Sequence, residues 1–125
     1  MKVVLCNGCF DALHIGHLLY LEAARKLGDR LVVSVTRNRS VNKGPHRPTY
    51  DEKHRLKMIR ALRCVDQAIL VDDPIEAFKK VKPDVFVKGA DYRGNIRQLD
   101  KDYCAEHGIK IVLTSTPLYD RSGRR

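Results

Sequence analysis

The chain contains no tryptophan, and its aromatic side chains are three Phe and five Tyr. So small an aromatic stock offers few platforms for stacking unpaired bases, which weighs against a module built to bind RNA. No apolar run approaches the roughly 20 residues that a membrane-spanning helix needs. Met1-Lys2-Val3-Val4-Leu5 runs straight into Asn7-Gly8, so no signal peptide is expected. Cysteine is scarce, at positions 6, 9, 64 and 104. Without a secretory signal these residues are expected as reduced thiols in a cytoplasmic protein. Cys6-x-x-Cys9 and Cys104-x-x-His107 have metal-ligand spacing. Both pairs fall inside regular apolar patterns, however, so Cys6 and Cys104 are expected in the core as small apolar residues and no metal centre is expected. There is no G-x-G-x-x-G and no Walker-type loop, which leaves dehydrogenase and P-loop readings without support. No repeat, low-complexity tract or internal linker divides the sequence.

Acidic residues are also in deficit, with 15 Asp and Glu against 24 Lys and Arg, a net charge of +9. That balance suits polyanionic ligands such as nucleotides, sugar phosphates or RNA, without choosing among them. Arg121, Arg124 and Arg125 crowd the end of the chain. What remains is ordinary globular usage, 43% hydrophobic and 31% charged. A length of 125 residues fits one domain over 1–125, large enough to bury about two-thirds of its unfolded surface without disulfides or metal.

Apolar runs and helical periods alternate along the chain. Val3-Val4-Leu5-Cys6 reads as a buried strand stopped by Asn7-Gly8. Leu13 to Leu27 has helical spacing, with Leu18, Leu21, Ala24 and Leu27 on one face and Gly28 as its C-terminal cap. Leu31 to Val35 is a second strand. Residues 37–49 are basic, carry Gly44, Pro45 and Pro48, and read as a long surface loop of the kind that carries function. A helix from Asp51 to Leu62 follows, with Leu56, Ile59 and Leu62 inward and a Thr49/Glu52 capping box. Val65 to Val71, Pro83 to Gly89 and Ile109 to Leu113 are three more strands, and Pro74 to Val81 and Ile96 to His107 two more helices, the last ended by Gly108. Such alternation predicts an α/β fold, a single Rossmann-like domain with a five-stranded parallel sheet and helices on both faces. Ligands then sit beyond the carboxyl ends of the strands, near the segments that start at Asn7, Arg37, Lys88 and Thr114.

The first of those segments is Asn7-Gly8-Cys9-Phe10-Asp11-Ala12-Leu13-His14-Ile15-Gly16-His17. Gly8 is read as a sharp turn off the strand. His14 and His17 are three residues apart at a helix start, so they share a face beside free N–H groups that favour phosphate. Gly16 keeps a side chain out of the space between them. Two imidazole donors at an anion site suit a phosphoryl group whose charge shifts during transfer.

The run Gly8 to His17 resembles the signature Gly-x-Phe-Asp-x-x-His-x-Gly-His of the cytidylyltransferase-like nucleotidyltransferases, with every fixed position matched. The likeness continues in Arg47-Pro48-Thr49, in Glu52-Lys53-His54-Arg55 and in Val87-Lys88-Gly89-Ala90-Asp91-Tyr92. Lys43-Gly44, Arg47-Pro48 and the Val-Lys-Gly-x-Asp-Tyr element most resemble the adenylyltransferase domain of ADP-heptose synthases. Glycerol-3-phosphate cytidylyltransferases and archaeal FAD synthetases are similar but match less well there. Thr114-Ser115-Thr116-Pro117-Leu118-Tyr119-Asp120-Arg121 resembles the family's Ser-Thr-Thr-x-Ile-Ile-x-Arg element. Ser122-Gly123-Arg124-Arg125 departs from the helix that ordinarily follows it.

The resemblance implies an enzyme that transfers a nucleotidyl group from an NTP to a small phosphorylated acceptor, with Mg²⁺ on the phosphates. ATP is the expected nucleotide and a sugar phosphate such as heptose 1-phosphate the expected acceptor. CTP with glycerol 3-phosphate or another alcohol phosphate, and ATP with FMN, are the alternatives; a basic RNA-binding module is the non-enzymatic one. By the same resemblance His14, His17 and Lys43 are catalytic. Gly8, Cys9, Phe10, Asp11, Gly16, Lys88, Gly89, Asp91, Tyr92, Thr114, Ser115, Thr116 and Arg121 bind the nucleotide. Arg55 meets the acceptor phosphate. No membrane or nucleic-acid partner is expected; the family's relatives form dimers, so a homodimer is one option, and nothing in the sequence marks an interface or fixes the oligomeric state.

Overall fold

The structure is a computed structural model that describes residues 1–41, 44, 48–89 and 96–114. Its elements run β1 (Val3–Gly8), α1 (Ile15–Arg25), β2 (Arg30–Thr36), a 3₁₀ turn (Asn38–Ser40), α2 (Glu52–Arg60), β3 (Gln67–Val71), α3 (Pro74–Val81), β4 (Val85–Lys88), α4 (Gln98–His107) and β5 (Lys110–Leu113). The strands form one sheet in the order β3-β2-β1-β4-β5, and every pair is parallel. The predicted five-stranded parallel architecture is therefore the observed one.

Period-two alternation divides the core between the two faces of the sheet. Val4 and Cys6 of β1 join Val33 and Val35 of β2 beneath Leu21 and Ala24 of α1 and Ile59 of α2. Leu5, Val32 and Phe86 turn the other way and meet Ala77 and Phe78 of α3 and Cys104 of α4. Phe78 and Phe86 pack edge to face with centroids 4.8 Å apart. The two buried rings are each worth about 1.5–3 kcal/mol of burial. Cys6 and Cys104 are core residues, as expected.

Several boundaries move, each for a physical reason. β1 does not stop at Cys6. Asn7 pairs with Ser34 and Gly8 with Val35, and the Ser34 hydroxyl bonds Asn7 Oδ1 at 2.6 Å. Gly28 is not a left-handed cap, because α1 ends on Lys26 in right-handed geometry. It is needed for close approach: a Cβ there would lie 2.6 Å from Val4 Cγ2 and 2.8 Å from the Lys2 carbonyl oxygen. Leu27, expected inward, is 39% exposed. The Thr49/Glu52 capping box does not form. Asp51 caps α2 by accepting from the Lys53 N–H, while the Thr49 N–H is bound by Asp11 and the Glu52 carboxylate accepts from the Asn38 N–H. Gly108 does cap α4, at φ 68°, and α3 keeps its expected bounds with Asp73 as N-cap and Pro74 in its first turn.

Candidate active site

Chain order climbs from β1 through β2 to β3 on one side of the sheet and resumes with β4 and β5 on the other. The reversal lies between β1 and β4, so their carboxyl ends open the crevice where such sheets bind ligands. Gly8 ends β1 and Lys88 ends β4. Thr114 follows β5, is buried, and donates its N–H to the Lys88 carbonyl at 2.9 Å. The Tyr20 hydroxyl of α1 bonds the Val87 carbonyl and ties that helix to β4. The Lys88 ammonium lies 5.4 Å from the Phe86 ring centroid.

His14 and His17 stand at this crevice as a pair. His14 is the N-cap of α1, and its Nδ1 accepts from the Gly16 N–H at 3.0 Å. His17 Nδ1 accepts from the His14 N–H at 3.2 Å. The two rings thus form a reciprocal capping box, with histidines in the places of the usual Ser and Glu. Their centroids are 4.0 Å apart and their planes 30° apart. A neutral imidazole that accepts at Nδ1 carries its proton on Nε2. Each ring thus has its Nδ1 engaged at the N-terminus of α1. Gly16 lies in the same turn, between them.

The loop that delivers this pair is held under strain. Phe10 is in left-handed conformation at φ 51°, which costs an L residue about 1–2 kcal/mol. Its ring is buried, and its edge meets His17 with centroids 5.4 Å apart. Gly8 is required for this packing rather than for a turn: a Cβ there would lie 2.9 Å from Phe10 Cε2. Asp11 is buried and accepts from the Thr49 N–H at 2.7 Å and the Tyr50 N–H at 2.9 Å. It therefore fastens the far end of the long loop, a tie that sequence reasoning missed. A cleft of about 190 Å³ separates this loop from α2, where the Tyr50 and His54 rings stack at 4.4 Å.

Arg55 departs from expectation. It is 1% exposed, and its Nη1 donates to the carbonyls of Cys9 at 2.9 Å and Thr36 at 2.7 Å. Nε donates to the Tyr50 carbonyl at 2.9 Å, and Nη2 to Asn38 Oδ1 at 2.7 Å. These bonds use most of the five donors a guanidinium has. The expected contact with an acceptor phosphate is corrected to an internal clamp.

At the root of the long loop, Asp72 accepts from Arg39 at 2.6 Å and 2.8 Å and from the Ser40 hydroxyl at 2.8 Å. Arg37 adds bonds to Asp72 and Glu76. The Arg39 guanidinium beside it, and then Ser40, hold the Asp72 carboxyl far below the ordinary range. Lys80, then the Asp72 N–H, bring Glu76 down to about 2. Burial pushes the Cys6 thiol up to about 12, which leaves it no nucleophilic role. Among the described residues no group of His, Cys, Asp and Glu is placed to hold a metal ion, and no helix is long and apolar enough to cross a membrane. Lys43, Asp91, Tyr92, Ser115, Thr116 and Arg121 lie outside the described residues.

Residues 5–122 match the family described as Cytidylyltransferase-like. The chain is 47% identical over 116 residues to the protein of Gluconobacter oxydans named Bifunctional protein HldE, a match that covers 90% of this chain and 24% of that protein. The protein of the same name from Methylobacillus flagellatus is 50% identical over 95 residues, 73% of this chain and 20% of the relative. The chain thus spans about a quarter of the length of the curated relatives it matches. The solved structure of a lipopolysaccharide core biosynthesis protein from Thermoplasma volcanium superposes with a TM-score of 0.79 at 35% identity, over 96% of this chain and 99% of that one. Pantothenate synthetase from Thermus thermophilus shares the fold, with a TM-score of 0.67 at 16% identity over 91% of this chain and 55% of the other.

Proposed function

The chain belongs to the cytidylyltransferase-like family and is a nucleotidyltransferase; from that premise we propose that it moves an AMP group from ATP onto the phosphate of a sugar phosphate such as heptose 1-phosphate. The observation that carries the reading is the His14–His17 pair. Two rings 4.0 Å apart share the N-terminus of α1 at the switch point, each with its Nδ1 engaged in the helix cap.

In the proposed step, an oxygen of the acceptor phosphate forms a bond to the α-phosphorus of the nucleotide. The bond from that phosphorus to the α–β bridging oxygen breaks, and its electron pair leaves with pyrophosphate. The attacking phosphate is already ionised near neutral pH, so positioning and charge stabilisation carry the rate. His14 and His17 donate to the oxygens on which charge grows. Lys43 closes over the phosphates. Lys88, Gly89, Asp91 and Tyr92 meet base and ribose, and Thr114, Ser115, Thr116 and Arg121 the outer phosphates. Mg²⁺ bound with the nucleotide would supply charge neutralisation at the phosphates; among the described residues no group of His, Cys, Asp and Glu is placed to hold it directly.

Pyrophosphate release with ATP or CTP, each against heptose 1-phosphate, glycerol 3-phosphate and FMN, tests the proposal. Turnover with ATP and the sugar phosphate supports it. Turnover confined to CTP with glycerol 3-phosphate, or to ATP with FMN, reassigns the substrates, and no turnover of either nucleotide overturns it.

A further inference from the structure

We propose that Arg55 is a positioning residue for the histidine pair, acting through the Cys9–Phe10 peptide rather than on the acceptor. The inference rests on the transfer reading above, because it concerns how the same site is held. Arg55 joins three stretches of chain: the β1–α1 loop at Cys9, the end of β2 and the 3₁₀ turn after it at Thr36 and Asn38, and the entry of α2 at Tyr50. Three of its acceptors are backbone carbonyls and the fourth is an amide oxygen. A guanidinium that is 1% exposed has exchanged water for fixed dipoles.

What the clamp fixes is local and chemical. Nη1 holds the Cys9 carbonyl, and a trans peptide turns the Phe10 N–H to the opposite side. The orientation of that peptide sets the entry to Phe10, a residue in left-handed conformation at φ 51°. Such a conformation persists only where its surroundings over-determine it. The Phe10 ring then lies edge-on against His17 at 5.4 Å. From the other side Asp11, also buried, grips the Tyr50 N–H while Arg55 grips the Tyr50 carbonyl. Two opposite buried charges thus hold one residue by its two backbone groups, and one of them, Asp11, adjoins Phe10, whose ring meets His17.

The readings of Arg55 as phosphate contact and as clamp separate kinetically. In Arg55→Lys the charge stays but the fork is lost. The expected result is a folded protein whose kcat falls about 10- to 100-fold, with KM for the acceptor near the wild-type value. The ring C–H resonances of His14 and His17, recorded by NMR on the free protein, shift in the same variant. Asn38→Ala removes one of the four contacts, so it shifts the same resonances and lowers kcat less. It also carries the test if Arg55→Lys does not fold. A raised acceptor KM with kcat preserved, or unmoved histidine resonances in a folded variant, overturns the inference. If the wild-type protein turns over neither nucleotide, the transfer reading fails on its own, and the resonances still decide the wiring.

Discussion

A ring nitrogen that accepts a hydrogen bond cannot also carry a proton, and that constraint ties helix capping to chemistry in this protein. His14 spends Nδ1 on the Gly16 N–H, and His17 spends Nδ1 on the His14 N–H. Capping and donation are separable by substitution. Asn caps helices as well as any residue but places no donor where Nε2 stands. His14→Asn is therefore expected to melt near the wild-type temperature while kcat falls about 100- to 1,000-fold. Were capping the whole role of His14, the same variant would turn over normally. His17→Ala is expected to lose kcat to a similar degree, with KM for the nucleotide little changed. The thiols differ by the same logic of environment. Burial lifts Cys6 to about 12 and Cys104 to about 11. A thiol reagent applied near neutral pH, followed by peptide mapping, should leave both unlabelled in the folded protein and label the half-exposed Cys9 first.

Several elements of this fold begin or end at an identifiable group, and those groups differ in how far away in sequence they lie. β1 shows the local case. The Phe10 ring closes over Gly8, and a methyl at Gly8 would meet it at 2.9 Å. Gly8→Ala is expected to cost about 1–3 kcal/mol in denaturant titration, as overpacking does, and to lower kcat because the displaced ring abuts His17. α3 was legible to both ends for the same local reason: an Asp73 cap, Pro74 in the first turn and a clean period lie within ten residues. The histidine pair was legible too, since three-residue spacing at a helix start depends on nothing remote. α2 was legible as a helix, with a local cap in Asp51, but not in how the chain before it is held: Asp11, which sits 38 and 39 residues before the N–H groups of Thr49 and Tyr50 it binds, is a tie no periodicity reports. Arg55 was misread because nothing in a basic helix distinguishes an arginine that reaches solvent from one that finds three carbonyls. Gly28 looked like a cap because capping is the commonest reason for glycine after a helix, whereas the Val4 side chain that crowds it lies far back in β1.

Across the whole molecule, 24 Lys and Arg stand against 15 Asp and Glu, and like charges must be kept from crowding. Arg37 and Arg39 at the root of the long loop would repel one another if Asp72 and Glu76 did not lie between them. Both carboxyls are held below their ordinary range: Asp72 by Arg39 and then Ser40, Glu76 by Lys80 and then the Asp72 N–H. A carboxyl depressed by folding contributes stability above its unfolded pKa of about 4 and loses it as pH falls toward the folded value. For Glu76 that folded value is about 2, and Asp72 lies lower still. Asp72→Asn is therefore expected to be less stable than wild type at neutral pH. The gap should close as pH falls from about 4 toward 2. It should also shrink in molar salt, because these groups are partly exposed and screened. Circular dichroism of both proteins across that pH range, with and without added salt, measures the gap directly. A gap that stays constant from neutral pH down to pH about 2 would mean that Asp72 acts through shape alone and that the charge network does not anchor the loop.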